Sequence, residues 1–208
     1  MTTHELLETA TPTGVDTAVV DRLFRDARTV GRFTDAPVPD ELLQDVYDAV
    51  RLGPTAMNTT PLRLLVVRTP DARARLAAHM ADFNRDRVLA APVSIVVAAD
   101  TDFHEHMATL VPHAPTSGER FAGIPDVRAG MARDGAWLQT GYLVLGLRAA
   151  GLGVGPMTGM DAAGIDAELL AGTSWRAIAV LNVGYADGEG TDRPRAPRLT
   201  WEQTVRVV

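Results

Sequence analysis

Asn84 and Arg87 stand just before the run Ala91-Pro92-Val93-Ser94-Ile95-Val96-Val97-Ala98-Ala99-Asp100, and Gly155-Pro156-Met157-Thr158-Gly159 follows further along the chain. An isoalloxazine ring needs a flat slot, a polar group at its pyrimidine edge, a cation near N1/O2 to hold the charge of reduction, and backbone close to N5. These residues could supply each requirement, so together they point to a flavin cradle. Earlier in the chain, Asp26-Ala27-Arg28-Thr29-Val30-Gly31-Arg32-Phe33 lies where a first helix gives way to loop. An arginine beside a hydroxyl and free backbone N–H groups can hold a phosphate by charge-assisted hydrogen bonds. The same octapeptide also suits a solvated arginine at a helix end.

Other groupings are open or excluded. Gly53-Pro54-Thr55-Ala56-Met57-Asn58-Thr59-Thr60-Pro61 concentrates hydroxyls and an amide between prolines, which fits a polar cofactor edge or a capped turn that satisfies its own backbone. Asn84 and Arg87, three apart, share a face if the segment is helical, although such a pair also suits a solvated surface. The glycines from Gly151 to Gly159 never give G-x-G-x-x-G, and they follow a helix rather than a strand, which disfavours a Rossmann site. A helix C-cap accounts for the first of them, and close approach to a flat ligand is open for the rest. His104-Glu105-His106 lacks the H-E-x-x-H spacing, and no metal site is expected. No G-x-S-x-G elbow is present.

Composition removes whole classes. The chain has no cysteine, hence no thiolate nucleophile, zinc ribbon or thiolate-held iron–sulfur cluster. All 20 basic residues are arginine, so a Walker A loop, a pyridoxal Schiff base and a kinase strand lysine are excluded. A formal net charge of −6 with dispersed arginines argues against nucleic acid. No apolar stretch reaches the roughly 20 residues of a membrane span, and the polar start lacks a signal peptide's basic and apolar regions. A soluble cytoplasmic protein is expected.

The elements that must position these groups follow from periodicity. With 208 residues and 46% hydrophobic, one core is expected: a loose arm over 1–14 and a single domain over 15–208. Helical spacing covers Val15 to Asp26, and Pro39, Asp40 and Glu41 open a second helix that Gly53-Pro54 stops. Strands are expected over Leu62–Arg68, Val93–Ala99 and Ile178–Val183, with a helix over Asp71–Asp82 and a short one over Asp161–Leu170. Asp102 to Val127 mixes a short helix with Pro, Gly and Ser, a lid-like composition over 102–127. Ala129–Ala150 is apolar on nearly every side, as in a centrally buried helix. A Gly/Pro/Arg loop, Asp187–Pro197, precedes the C-terminal tail.

Taken in order, Arg28-Thr29-x-x-x-Phe33-Thr34-Asp35-x-Pro37-Val38, Gly53-Pro54-Thr55-x-x-Asn58-x-x-Pro61, Asn84-x-x-Arg87 before Ala91-Pro92, and Gly151-Leu152-x-x-x-Pro156-Met157-x-Gly159 resemble the nitroreductase family of FMN-dependent oxidoreductases. Segments such as Phe103-His104-Glu105-His106, Phe121-Ala122-Gly123-Ile124-Pro125 and Pro194-Arg195-x-Pro197-Arg198-Leu199 resemble its malonic semialdehyde reductase branch. The resemblance implies an α+β fold, a central mostly antiparallel sheet flanked by helices, with FMN at a homodimer interface. It implies that Arg28, Thr29, Arg195 and Arg198 hold the phosphate, and that Thr55, Ala56 and Asn58 come from the partner subunit. Asn84 would meet the pyrimidine edge and Arg87 the N1/O2 side. Pro156, Met157, Thr158 and Gly159 would line the ring near N5. Gly31 stands where the family often has a cation, so Arg87 would act there alone. Thr60-Pro61-Leu62 replaces the common Gln-Pro-Trp and removes an aromatic wall.

The implied activity is ping-pong hydride transfer from NADH or NADPH through flavin N5 to a small-molecule acceptor: an aldehyde such as malonic semialdehyde, a nitroaromatic or a quinone. No catalytic side chain is evident; His104 and His106 are the candidate proton donors beside water. The competing reading is a flavin-binding or sequestering protein without turnover.

Overall fold

A computed structural model describes residues 14, 16–188, 190–191 and 193–208. The expected N-terminal arm, apart from Gly14, lies outside the described residues. Asp16 caps the first helix by accepting from the N–H groups of Ala18 and Val19. That helix, α1 (Thr17–Val20), widens into a π-helical stretch, Asp21–Arg25, closed by the Asp26 N–H to the Asp21 carbonyl. The helix α2 spans Asp40–Val50, with Asp40 and Glu41 in its first turn where the dipole favours acids. The strand β1 (Leu62–Val67) precedes α3 (Pro70–Ala78) and α4 (Asp82–Ala90). The expected helix over Asp71–Asp82 therefore ends early, at Ala78, and Asp82 opens the next helix. The break is held by the Ala81 N–H to Gly159 and the Asp161 N–H to the His79 carbonyl, tertiary bonds with no local signal.

The strand β2 (Val93–Asp100) is buried along its whole length, as its run of β-branched and small apolar residues requires. Short helices α5 (Met107–Leu110) and α6 (Glu119–Ala122) follow, then the long α7 (Pro125–Ala149). The chain ends with β3 (Gly153–Met157), α8 (Ala162–Glu168), β4 (Trp175–Gly184) and α9 (Trp201–Thr204). The four strands form one antiparallel sheet in the order β1-β2-β4-β3. This is the α+β architecture, a sheet between two helical layers.

Strand alternation divides the apolar residues between two cores. Val93, Ile95, Val97, Ala179, Leu181 and Val183 meet α2 and α7 on one face. Val96, Ala98, Ala177 and Val180 meet α3, α4 and α8 on the other. A register shift between Val97 and Ala98 places one extra residue, Ile178, on β4. The small residues Ala132 and Ala136 bring α7 onto the sheet. Yet α7 is not enclosed on every side, because Trp137 and Leu138 remain 37% and 47% exposed. In the segment 102–127, Phe103, Met107 and Phe121 are buried in the first core, and Arg128 donates to the carbonyls of Thr101 and Phe121 and to Asp102.

Candidate functional site

The site begins with a ribbon of chain after the first helix. Thr29 bridges Val154 of β3 in parallel, and the Val30 N–H donates to the Val154 carbonyl at 3.0 Å. On the ribbon's other side the N–H groups of Gly31 and Arg32 donate to Gly190, and that of Thr34 to Tyr185. Residues 29–34 therefore run as an added strand between β3 and the loop after β4. Such close approach explains Gly155: a Cβ there would overlap the Val30 carbonyl oxygen. The glycine run thus makes room for the chain's own backbone. At its far end Gly159 sits against the Asn84 amide and the Phe83 ring, each 3.0 Å from where a Cβ would stand.

This arrangement draws distant arginines together. Arg195 donates to the carbonyls of Arg25 and Ala27 at 2.5 and 2.9 Å, covering acceptors that the end of the first helix leaves free. Arg28 donates to the Arg193 carbonyl, and Arg198 to those of Ala196 and Pro197. The result is a cleft of about 660 Å³ lined by Arg28, Arg87, Arg148, Arg193, Arg195 and Arg198, with Thr29, Pro156, Met157 and Asn182. Among the described residues no acidic side chain lines it, and none of these six arginines has a carboxylate partner. Burial, and next the neighbouring Arg195 charge, lower the Arg148 pKa from its usual value. So many uncompensated guanidinium groups on a chain of net charge −6 fit a phosphate-bearing ligand.

Asn84 and Arg87 take different roles on α4. Asn84 is buried and its Nδ2 donates to the Gly159 carbonyl at 3.1 Å, which joins α4 to the run after β3. Arg87 points into the cleft, and its own carbonyl accepts from Asn182 Nδ2 at 2.9 Å. Asn182 Oδ1 in turn accepts from the buried Ser94 hydroxyl at 2.7 Å, so a polar pair within the sheet fixes the end of α4. Pro156 lines the cleft, while the side chain of Met157 is buried in the second core. Thr158 lines a separate cavity of about 400 Å³ with Thr101, Arg133, Trp137 and Arg176.

Thr55, Ala56 and Asn58 do not line the arginine cleft of their own chain. Asn58 instead donates to the Leu110 carbonyl, and Thr55 Oγ1 accepts from the Thr60 N–H. Their loop is strained: Met57, Asn58 and Thr60 have φ of 55°, 55° and 37°. The loop also satisfies its own backbone, with the Asn58 and Thr59 N–H groups donating to Thr55 and Ala56, and backbone strain of this kind concentrates at functional sites. His104 and His106 also lie away from the cleft; His106 faces Asp100 at 3.6 Å, and His104 lies beside Arg128. Sequence reasoning missed Arg148, Arg193 and Asn182. Arg193 had a signal in the Arg-rich loop, whereas Arg148 and Asn182 had none outside the tertiary fold.

The Nitroreductase family model matches residues 24–185. A Streptomyces coelicolor protein named "Putative NADH dehydrogenase/NAD(P)H nitroreductase SCO5049" is 46% identical over 194 residues, covering 93% of this chain and 98% of that protein. A similarly named Leptothrix cholodnii protein is 44% identical over the same length, 93% of this chain and 98% of its own. The chain belongs to the nitroreductase family. Among solved structures, a nitroreductase family protein of Streptococcus pneumoniae superposes with a TM-score of 0.73 at 24% identity, covering 89% of this chain and 98% of that one. An Exiguobacterium sibiricum protein solved in complex with FMN gives 0.69 at 20% identity, covering 90% and 96%. These two likenesses speak to the fold.

Proposed function

We propose that the protein is an FMN-dependent NAD(P)H oxidoreductase that works as a homodimer and reduces a small acceptor, of which malonic semialdehyde is the leading candidate. The observation that carries the reading is the cleft of six arginines without a carboxylate, opening beside Pro156 and Met157. The names of the curated relatives and the FMN complex of the Exiguobacterium protein support it. When bound, FMN would supply hydride transfer between NADH or NADPH and the acceptor.

The residues divide the work. Arg28, Thr29, Arg195 and Arg198 bind the phosphate. Asn84, with Nδ2 donated to Gly159, offers Oδ1 to the pyrimidine edge. Arg87 holds the charge of reduction near N1/O2. Pro156, Met157, Thr158 and Gly159 would form the wall near N5, to which the backbone N–H of Thr158 or Gly159 would donate. Thr55, Ala56 and Asn58 of each chain serve the cofactor of the other, which gives the strain in their loop a purpose. The exposed Trp137 and Leu138 on α7 are the apolar surface a second chain would cover.

Malonic semialdehyde carries a carboxylate as well as an aldehyde. At the cavity that Thr158 lines, Arg133 has no carboxylate partner among the described residues, whereas Arg176 faces Asp166 at 4.0 Å; the Arg133 guanidinium suits such an acid better than a neutral nitroaromatic or quinone. Stopped-flow reduction of the flavin by NADH and NADPH, followed by reoxidation with malonic semialdehyde, a nitroaromatic and a quinone, tests the reading. Fast reduction and preferential reoxidation by the acid aldehyde support it. A flavin that neither nucleotide reduces makes the protein a flavin carrier, and faster reoxidation by nitroaromatic or quinone overturns the assigned acceptor.

A further inference from the structure

Arg148 sits on α7, far in sequence from the other arginines of the cleft. Its Nη1 donates to the Leu23 carbonyl at 2.9 Å, while its Nε is buried without a partner. No carboxylate lies within ion-pair distance of it among the described residues. Together with Arg28 and Arg195 it forms a wall shared by the 660 Å³ cleft and a second cavity of about 830 Å³ behind it. A half-buried cation with no counter-charge and two like charges alongside is unfavourable in the empty protein. An arginine whose only task was to tie α7 to the first helix would be better served by a neutral donor.

We propose that Arg148 is a further phosphate-binding residue, a guanidinium beside Arg28 and Arg195 that a phosphate dianion in the cleft neutralises. This rests on the flavin reading for the identity of the ligand, but its physical content is an anion site that needs Arg148. Two consequences follow. The wild-type apoprotein gains stability from inorganic phosphate, because the anion relieves repulsion within the wall. FMN binds more tightly than riboflavin by an amount that depends on Arg148.

The test uses the full-length apoprotein, wild type, Arg148→Met and Arg148→Lys. Thermal denaturation is followed against inorganic phosphate, and FMN and riboflavin are titrated separately. In Arg148→Met the phosphate-induced rise in Tm shrinks and the Kd for FMN increases about 10-fold or more, the loss of one charge-assisted hydrogen bond, with riboflavin unchanged. Arg148→Lys, which keeps the charge and a donor to Leu23, recovers part of the FMN affinity. Equal losses for FMN and riboflavin, or an unchanged FMN affinity, overturn the proposal and leave Arg148 as a structural tie. If Arg148→Met does not fold, Arg148→Lys decides: a loss confined to FMN and phosphate supports the role, and a loss shared by riboflavin rejects it. Arg148-dependent phosphate binding without FMN binding upholds the anion site and refutes the flavin reading instead.

Discussion

Replacing Arg87 with Gln should retain oxidised FMN but make the flavin harder to reduce. The Arg87 guanidinium lines the cleft and has no hydrogen-bond or ion-pair partner among the described residues, while its backbone is fixed by Asn182. Its charge is therefore available to a ligand, and Gln removes it at nearly constant shape. Unit charges about 4 Å apart attract by about 1 kcal/mol in water-like surroundings and about 4 kcal/mol at the effective permittivity of a protein surface. Arg87 is exposed, so the lower end applies before the ligand covers it. A loss of about 1.4 kcal/mol in the reduced state alone corresponds to a midpoint about 30 mV more negative for a two-electron couple. Spectroelectrochemistry of the loaded variant measures that shift, and stopped-flow reduction should slow in parallel. An unchanged midpoint with FMN still bound would refute the electrostatic role and return Arg87 to the solvated surface.

Three more perturbations probe what builds the site. Arg198→Ala removes a guanidinium bonded only to its own loop, so the Kd for FMN should rise about 10- to 150-fold while the apoprotein Tm barely moves; an unchanged titration rejects the assignment. Gly155→Ala should push the 29–34 ribbon off β3, lowering stability by about 1–3 kcal/mol and weakening FMN binding together, as denaturant unfolding and flavin titration would report; a neutral result means the ribbon is held elsewhere. Hydrogen bonds from Arg75 and then His79 hold the Glu168 pKa below its ordinary value near 4.5. A depressed carboxylate contributes stability above that ordinary value and loses it as pH falls through the folded one, so Glu168→Gln should flatten the acid limb of the Tm profile. An acid limb identical to wild type would remove Glu168 from that account.

The sequence is legible where local chemistry and tertiary context agree. The Val93–Ala99 run reads as a buried strand because its seven small or β-branched residues are apolar except for Ser94, and it lies in the fully buried β2. Gly153–Met157 gives no strand signal, since glycine and proline disfavour strands in isolation. It becomes β3 because β4 pairs with one edge and the 29–34 ribbon with the other, and that second pairing requires Gly155. Arg28 is visible as a phosphate candidate through its own octapeptide, and Arg195 and Arg198 only through the family resemblance. Arg148 is hidden within a helix whose apolar pattern dominates, and only folding brings it beside them. Asn84 gives no sign that it is buried, because its partner Gly159 is 75 residues away in the chain. The apolar perimeter of α7 suggests enclosure within one chain, whereas Trp137 and Leu138 remain partly exposed.

Sedimentation velocity recorded at both protein and flavin wavelengths tests the central claim most directly, because it reads cofactor and assembly in one boundary. The account predicts FMN absorbance travelling with the protein at the mass of a homodimer, in stoichiometric amount. A protein boundary without flavin after incubation with FMN, or a monodisperse FMN-loaded monomer, would contradict it.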